Sequence, residues 1–284
     1  MTAKFTLACV QTNSGREIAP NIEAVSVQIR EARNKGADFI AVPENVAMIE
    51  PDGAKLRAKA ESEGTHQALA AFRALARDSG AWILVGSLAV KLDDGRIANR
   101  SFLLKPDGAI EARYDKIHMF DVDLENGESY RESATFRPGE AAVIADTPWG
   151  GLGMTVCYDL RFPYLYRSLA HAGAVMMSVP SAFTEVTGRA HWHVLLRARA
   201  IETGSFVIAP AQCGIHAEGR RTFGHSLIVD PWGEVLADGG KDVGIIMAEI
   251  DLAKVARARA MIPSLRHDRS FDAPAGPPAA KAAG

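Results

Sequence analysis

Disulfide chemistry is the first thing this sequence lacks. Its three cysteines, Cys9, Cys157 and Cys213, are scattered over 284 residues with no Cys-x-x-Cys pair, which excludes a disulfide framework and a thiolate zinc or redox motif. No run approaches the ~18–20 uninterrupted apolar residues of a membrane span. The apolar run at residues 5–10 is shorter than the ~7–15 of a secretory core with its cleavage site. A cytoplasmic protein with no membrane partner is the expectation. An excess of one charge is missing as well: 32 Lys and Arg stand against 34 Asp and Glu, a net charge of -2, which argues against a nucleic-acid footprint. There is no internal repeat and no Gly/Ser linker. What is present is 48% hydrophobic and 23% charged residues, the balance of an ordinary globular chain with ample core.

Short apolar runs rich in branched residues recur at 5–11, 39–43, 82–90, 102–105, 154–157, 175–180, 206–211, 227–230 and 245–250, and they read as strands. Two segments between them have helical spacing. In 21–34, Ile22, Val25, Ile29 and Ala32 share one face; in 65–79, Leu69, Phe72 and Leu75 do, with Gly80 placed to cap the C-terminus. The stretch 82–112 differs, because Asp93-Asp94-Gly95 and Pro106-Asp107-Gly108 turn the chain between strands with no helix, a hairpin series. So many strands exceed what one doubly wound sheet requires, and two sheets stacked between helix layers account for them. The expectation is one domain over residues 1–271. Residues 272–284, DAPAGPPAAKAAG, hold small residues and proline without an apolar stripe and are expected to be a disordered tail.

Reactive groups that follow apolar runs carry the functional information, since ligands of α/β sheets gather at the carboxyl ends of strands. Glu44 follows 39–43, Lys116 follows 109–114, and Cys157 ends 153–156. Singly, Glu44 and Lys116 also read as solvated loop charges. Together, a carboxylate base, a fixed cation and a thiol are what acyl transfer through cysteine requires. Cys9 sits inside a strand and reads as core, and Cys213 remains ambiguous. A cysteine–histidine hydrolase using His118 or His225 leaves Glu44 and Lys116 without a shared explanation. His191 and His193, two apart on a helix, point about 200° apart and do not form a metal pair.

The segments ACVQT, AVPEN, YDKIHMFD, TVCYDLRFP, TGRAHWHVLLRARAIE and FGHSLIVDPWGEV occur in an order and spacing that resemble the nitrilase superfamily of carbon-nitrogen hydrolases over residues 5–271. The resemblance implies an α/β fold, a four-layer αββα sandwich with two mixed β-sheets, subunits paired at least as a homodimer, and a Glu44, Lys116, Cys157 triad. It also implies a second, assisting glutamate. LENGESYRES offers Glu125, Glu128 and Glu132; the Glu-Ser and Pro-Gly spacing selects Glu132, with Glu128 as fallback.

The chemistry expected is amide hydrolysis through a thioester. Glu44 takes the thiol proton, Lys116 and the Tyr158 N–H hold the oxyanion, and ammonia leaves, with no metal or organic cofactor in the scheme. Arg161, four residues past the cysteine, is expected to fork onto a substrate carboxylate, the plainer alternative being an ion pair with Asp159. Within the family the chain resembles the Nit-type amidases, deaminated glutathione amidases first and ω-amidases second. That likeness implies a small carboxylate-bearing amide as the partner, with Phe183 and Thr187 in the substrate pocket. A non-catalytic protein on the same fold is the rival of a different class.

Overall fold

A computed structural model describes residues 4–124, 127–273 and 276 of the chain. Glu125 and all of the expected tail but 272, 273 and 276 lie outside the described residues. One sheet has the order Gly244–Asp251, Lys4–Gln11, Phe39–Ala41, Trp82–Lys91, Ile97–Leu104, Ile110–Asp115, with the short Glu61–Ser62 added beside Trp82–Lys91. The other runs Val235–Asp238, Leu227–Val229, Phe206–Ala209, Ala174–Ser178, Gly151–Met154, Val143–Ala145. In both, parallel pairing at the centre gives way to antiparallel pairing toward the edges. The sheets are therefore mixed, as expected.

Alternation along each strand builds the layers. From the first strand, Leu7 and Cys9 pack inward with Phe39, Leu84, Met176 and Ile208, joining the two sheets face to face. Ala8 and Val10 point the other way, into a second cluster with Val25 and Ile29 of α1 (Ile18–Asn34) and Leu69 and Phe72 of α3 (Gln67–Ser79). Between these helices lies the short α2 (Gly53–Lys59). On the far side, Leu165 and Leu169 of α4 (Pro163–His171) and Trp192, Leu196 and Ala200 of α5 (Glu185–Thr203) cover the other sheet. The last helix, α6 (Ala253–Met261), follows the edge strand Gly244–Asp251. The order helix, sheet, sheet, helix is the expected sandwich. Among the described residues, no helix is long and apolar enough to cross a membrane.

Candidate active site

Three connections deliver the expected residues to one place. Glu44 lies in the segment after Phe39–Ala41, Lys116 directly follows Ile110–Asp115, and Cys157 opens a 3-10 turn, Cys157–Arg161, three residues past the end of Gly151–Met154. All three are buried, at 2%, 2% and 8% exposure. Lys116 Nζ donates to Glu44 Oε1 at 2.9 Å and to Glu132 Oε1 and Oε2 at 2.9 and 2.8 Å. Glu132 thus meets the lysine, whereas Glu128 accepts the Tyr130 hydroxyl at 2.8 Å. The other Glu44 oxygen accepts the Ala182 N–H at 2.8 Å, and its backbone carbonyl accepts Gln212 Nε2 at 3.1 Å.

No motif in the sequence singles out Asn99. Its side-chain amide donates to Glu44 at 3.0 Å and Glu132 at 3.1 Å, and its carbonyl accepts the Lys116 N–H at 3.0 Å. The available signal was a polar residue at a fully buried position inside the strand Ile97–Leu104.

The three acids and amines form the floor of a cavity of about 440 Å³, whose wall includes Phe120, Tyr158, Phe183, Thr187 and Arg220. The Thr187 hydroxyl pairs with that of Thr184 at 2.7 Å, and the Phe183 ring leans on Trp192 at 5.0 Å. Arg161 packs against the same wall: its guanidinium lies over the Tyr158 and Phe183 rings at 5.8 and 5.3 Å and contacts His191 Nδ1 at 3.3 Å. It does not pair with Asp159, which accepts from the Val156 N–H, the Tyr114 hydroxyl and His118.

A family model described as carbon-nitrogen hydrolase matches residues 6–260. A Yersinia enterocolitica protein named deaminated glutathione amidase is 42% identical over 93% of this chain and 92% of its own. The crystal structure of the Caenorhabditis elegans NitFhit protein superposes with a TM-score of 0.88 at 36% identity, over 94% of this chain and 66% of that one. Saccharomyces cerevisiae Nit3, described as a member of branch 10 of the nitrilase superfamily, superposes with a TM-score of 0.84 at 27% identity, over 93% and 96%. The chain belongs to the carbon-nitrogen hydrolase family.

As a carbon-nitrogen hydrolase it is an amide-cleaving enzyme, and the charges at its cavity floor fit that work. Burial pushes the Glu44 carboxyl up, yet the Lys116 charge and the hydrogen bonds from Lys116, Cys157 and Ala182 outweigh it and hold the group below its ordinary value. For Lys116, burial opposes the charge, but Glu132 and Glu44 overcome it and raise the ammonium well above its usual range. Burial, then the Glu44 charge, raises the Cys157 thiol despite Lys116. The hydrolase at rest therefore holds a carboxylate, an ammonium and a protonated thiol.

The remaining candidates of the hydrolase lie elsewhere. Cys9 is core, its thiol pushed up by burial, and burial also pushes Cys213 up, to about 11. His118 binds Asp159 and Tyr164 and stacks on Phe162. His193 meets His225 and Asp238, a grouping invisible in sequence, in which the Asp238 carboxylate accepts from both rings at 3.0 and 2.9 Å.

Proposed function

We propose that this enzyme hydrolyses deaminated glutathione, through a thioester on Cys157. The observation that carries the chemistry is the buried contact of Glu44, Lys116 and Glu132 beside the Cys157 thiol; the substrate rests on the name of the Yersinia relative. Because the thiol is raised and the carboxylate lowered, proton transfer at rest is uphill, so it accompanies attack. The Cys157 sulfur bonds to the amide carbon as its proton passes to Glu44. The charge that Glu44 loses reappears on the carbonyl oxygen, where Lys116 and the Tyr158 N–H receive it. Contacts to Glu44 and to the bifurcated Glu132 leave Lys116 one N–H bond to spare. The Tyr158 N–H stands in the first turn of its 3-10 segment, where no intrahelical acceptor exists.

Collapse of this adduct breaks the C–N bond as Glu44 returns the proton to the leaving nitrogen. That nitrogen departs as ammonia from a primary amide and as a larger amine from deaminated glutathione, whose amides are secondary. Water deprotonated by Glu44 then cleaves the thioester, releasing the acid and the thiol. Glu132 and Asn99 hold Lys116 and Glu44 in register as positioning residues, and Phe183 and Thr187 shape the acyl side of the cavity.

We further propose that two copies associate through α5. Val194 and Ile201, two turns apart on one face, are 66% and 53% exposed, and the neighbouring Trp232 is 55% exposed. A cytoplasmic location accords with the absence, among the described residues, of any helix able to cross a membrane.

Cys157→Ala is expected to lower turnover of any amide by at least about 10³-fold. Wild-type enzyme in hydroxylamine is expected to divert the acyl group to a hydroxamate. Retained turnover in the variant rules out the thioester, and preference for an ω-amide such as α-ketoglutaramate over deaminated glutathione replaces the substrate.

A further inference from the structure

We propose that His193, His225 and Asp238 form a binding site for one divalent transition-metal ion of the zinc class, a structural clamp separate from the amide chemistry. The site stands beyond the amidase reading, because none of the three residues lines the cavity above Cys157.

Three segments distant in sequence bring these side chains together. His193 lies in the middle of α5, His225 between the strands Arg221–Phe223 and Leu227–Val229, and Asp238 at the end of Val235–Asp238. Helical spacing denies His193 a metal partner in His191; the fold supplies two others. Among the described residues, this is the one group of three His, Cys, Asp or Glu side chains whose ligand atoms converge, all within 4.8 Å of one another. A single oxygen, Asp238 Oδ2, faces both rings, 3.0 Å from His193 Nε2 and 3.2 Å from His225 Nδ1. In a tetrahedral site with ligands about 2.0–2.2 Å from the ion, neighbouring ligand atoms stand about 3.3 Å apart. Both nitrogen–oxygen edges match that within a few tenths of an ångström, and rotation of the two rings closes the remaining edge.

Two imidazoles and one carboxylate select Zn²⁺, Co²⁺ or Ni²⁺ over Mg²⁺ and Ca²⁺, which take oxygen ligands. Each ring gives the ion the lone pair of the nitrogen that faces Asp238 and carries its proton on the other nitrogen, so a neutral ring binds without net proton release. The side chains are 36%, 20% and 35% exposed, which leaves a path for the ion and a fourth position for water.

The three ligands are held in place by the residues around them. Asp238 Oδ1 accepts the Gly240 N–H at 2.9 Å, which fixes the carboxylate with Oδ2 toward both nitrogens. His225, at a φ of 52°, is pinned on both sides: its N–H donates to the Gly240 carbonyl at 2.6 Å, and its carbonyl accepts the Trp192 indole N–H at 2.7 Å. Trp192 is fully buried and directly precedes His193, so the helix and the loop are fixed against each other. The Phe223 ring stacks on His225 at 4.4 Å and backs the ligand with an apolar surface. An outer layer of this kind orients ligands for the ion. Bound there, the ion joins α5, whose first turn carries Thr187 to the cavity wall, to the edge strand Val235–Asp238.

The test uses the full chain without a histidine tag, carrying Cys157→Ala so that the active-site thiol does not take the probe ion. Calorimetric titration with Zn²⁺ is expected to show one ion per chain, and Co²⁺ is expected to give the visible absorption of a tetrahedral centre. Zn²⁺ at about 100-fold over its Kd is expected to raise the melting temperature by about 4–8 °C, with Mg²⁺ and Ca²⁺ leaving it unchanged. Two substitutions separate ion binding from hydrogen bonding. Asp238→Asn keeps an acceptor for both rings and loses the charge, and His193→Ala removes one ligand at a half-exposed helix position. Each is expected to weaken Zn²⁺ binding by at least about 10²-fold with the ion-free melting temperature within a few degrees of the parent, whereas His191→Ala leaves binding unchanged. No saturable Zn²⁺ binding below about 1 mM overturns the proposal, as does parental affinity in both Asp238→Asn and His193→Ala.

Discussion

Cys157 has a backbone φ of 49°, in the left-handed region that a branched or bulky residue avoids, and Asn45, next to Glu44, has 55°. Such positions are unfavourable by about 1–3 kcal/mol each and persist only where the surroundings enforce them. Here the Cys157 N–H is tied to the Pro180 carbonyl at 3.0 Å and the Asn45 N–H to the Ser87 hydroxyl at 3.0 Å. Both bends turn a side chain out of its strand direction toward the cavity. The protonation states at this point set the pH dependence. A carboxyl held below its ordinary 4.5 stays ionised as the pH falls, so Glu44 remains a base through the mildly acidic range. A thiol raised above its ordinary 9.0 stays protonated as the pH rises. For butyramide, kcat/KM is expected to be flat from about pH 5.5 to about 9. Iodoacetamide labelling of Cys157 is expected to show no step there either. A step well below the ordinary thiol value would mean that Lys116 prevails over burial and holds a resting thiolate.

At the scale of elements, the approach of strands to the loop before Glu44 matters most. Gly86 sits where the register of Trp82–Lys91 against Ile97–Leu104 shifts, and a Cβ there would meet the Val42 carbonyl oxygen at 2.1 Å and the Pro43 backbone at 2.4 Å. Gly86→Ala must push that backbone, and Glu44 with it. It is expected to destabilise by about 1–3 kcal/mol and to lower kcat more than it changes KM. Thermal melting and steady-state kinetics check both, and wild-type values for each would show that the loop yields freely. Elements were legible where their pattern was local. Gly80 caps α3 in the left-handed conformation, as its position after the apolar stripe implies. The start of α1 was read too late, because Pro20 sits in its first turn, where the missing N–H has no partner to lose. The strand before Cys157 was read too long. It ends at Met154, and the turn-forming residues after it wind into a 3-10 segment.

For the whole molecule, the apolar face of α5 is the largest question of assembly. The sequence shows a helix apolar nearly all round; the fold buries Trp192, Leu196 and Ala200 and leaves Val194 and Ile201 outside. Replacing both by Asp is expected to halve the mass measured by light scattering while the melting curve of the monomer stays cooperative. A wild-type monomer independent of concentration would remove the proposed pairing. Within the molecule, chain order by itself determined the layers and the trio Glu44, Lys116 and Cys157, because strand periodicity and the residues that end strands are local properties of the chain. Tertiary structure alone decided the rest. Glu132 rather than Glu128 meets Lys116 because the chain beyond Ser129–Arg131 returns it to the floor, with its carboxylate also taking the Phe120 N–H. Asn99 joins the two carboxylates through a strand register that spacing does not reveal. Arg220 reaches the Ala182 carbonyl and Arg161 the Tyr158 and Phe183 rings because those partners are set by segments distant in sequence, packed together only when both sheets are in place.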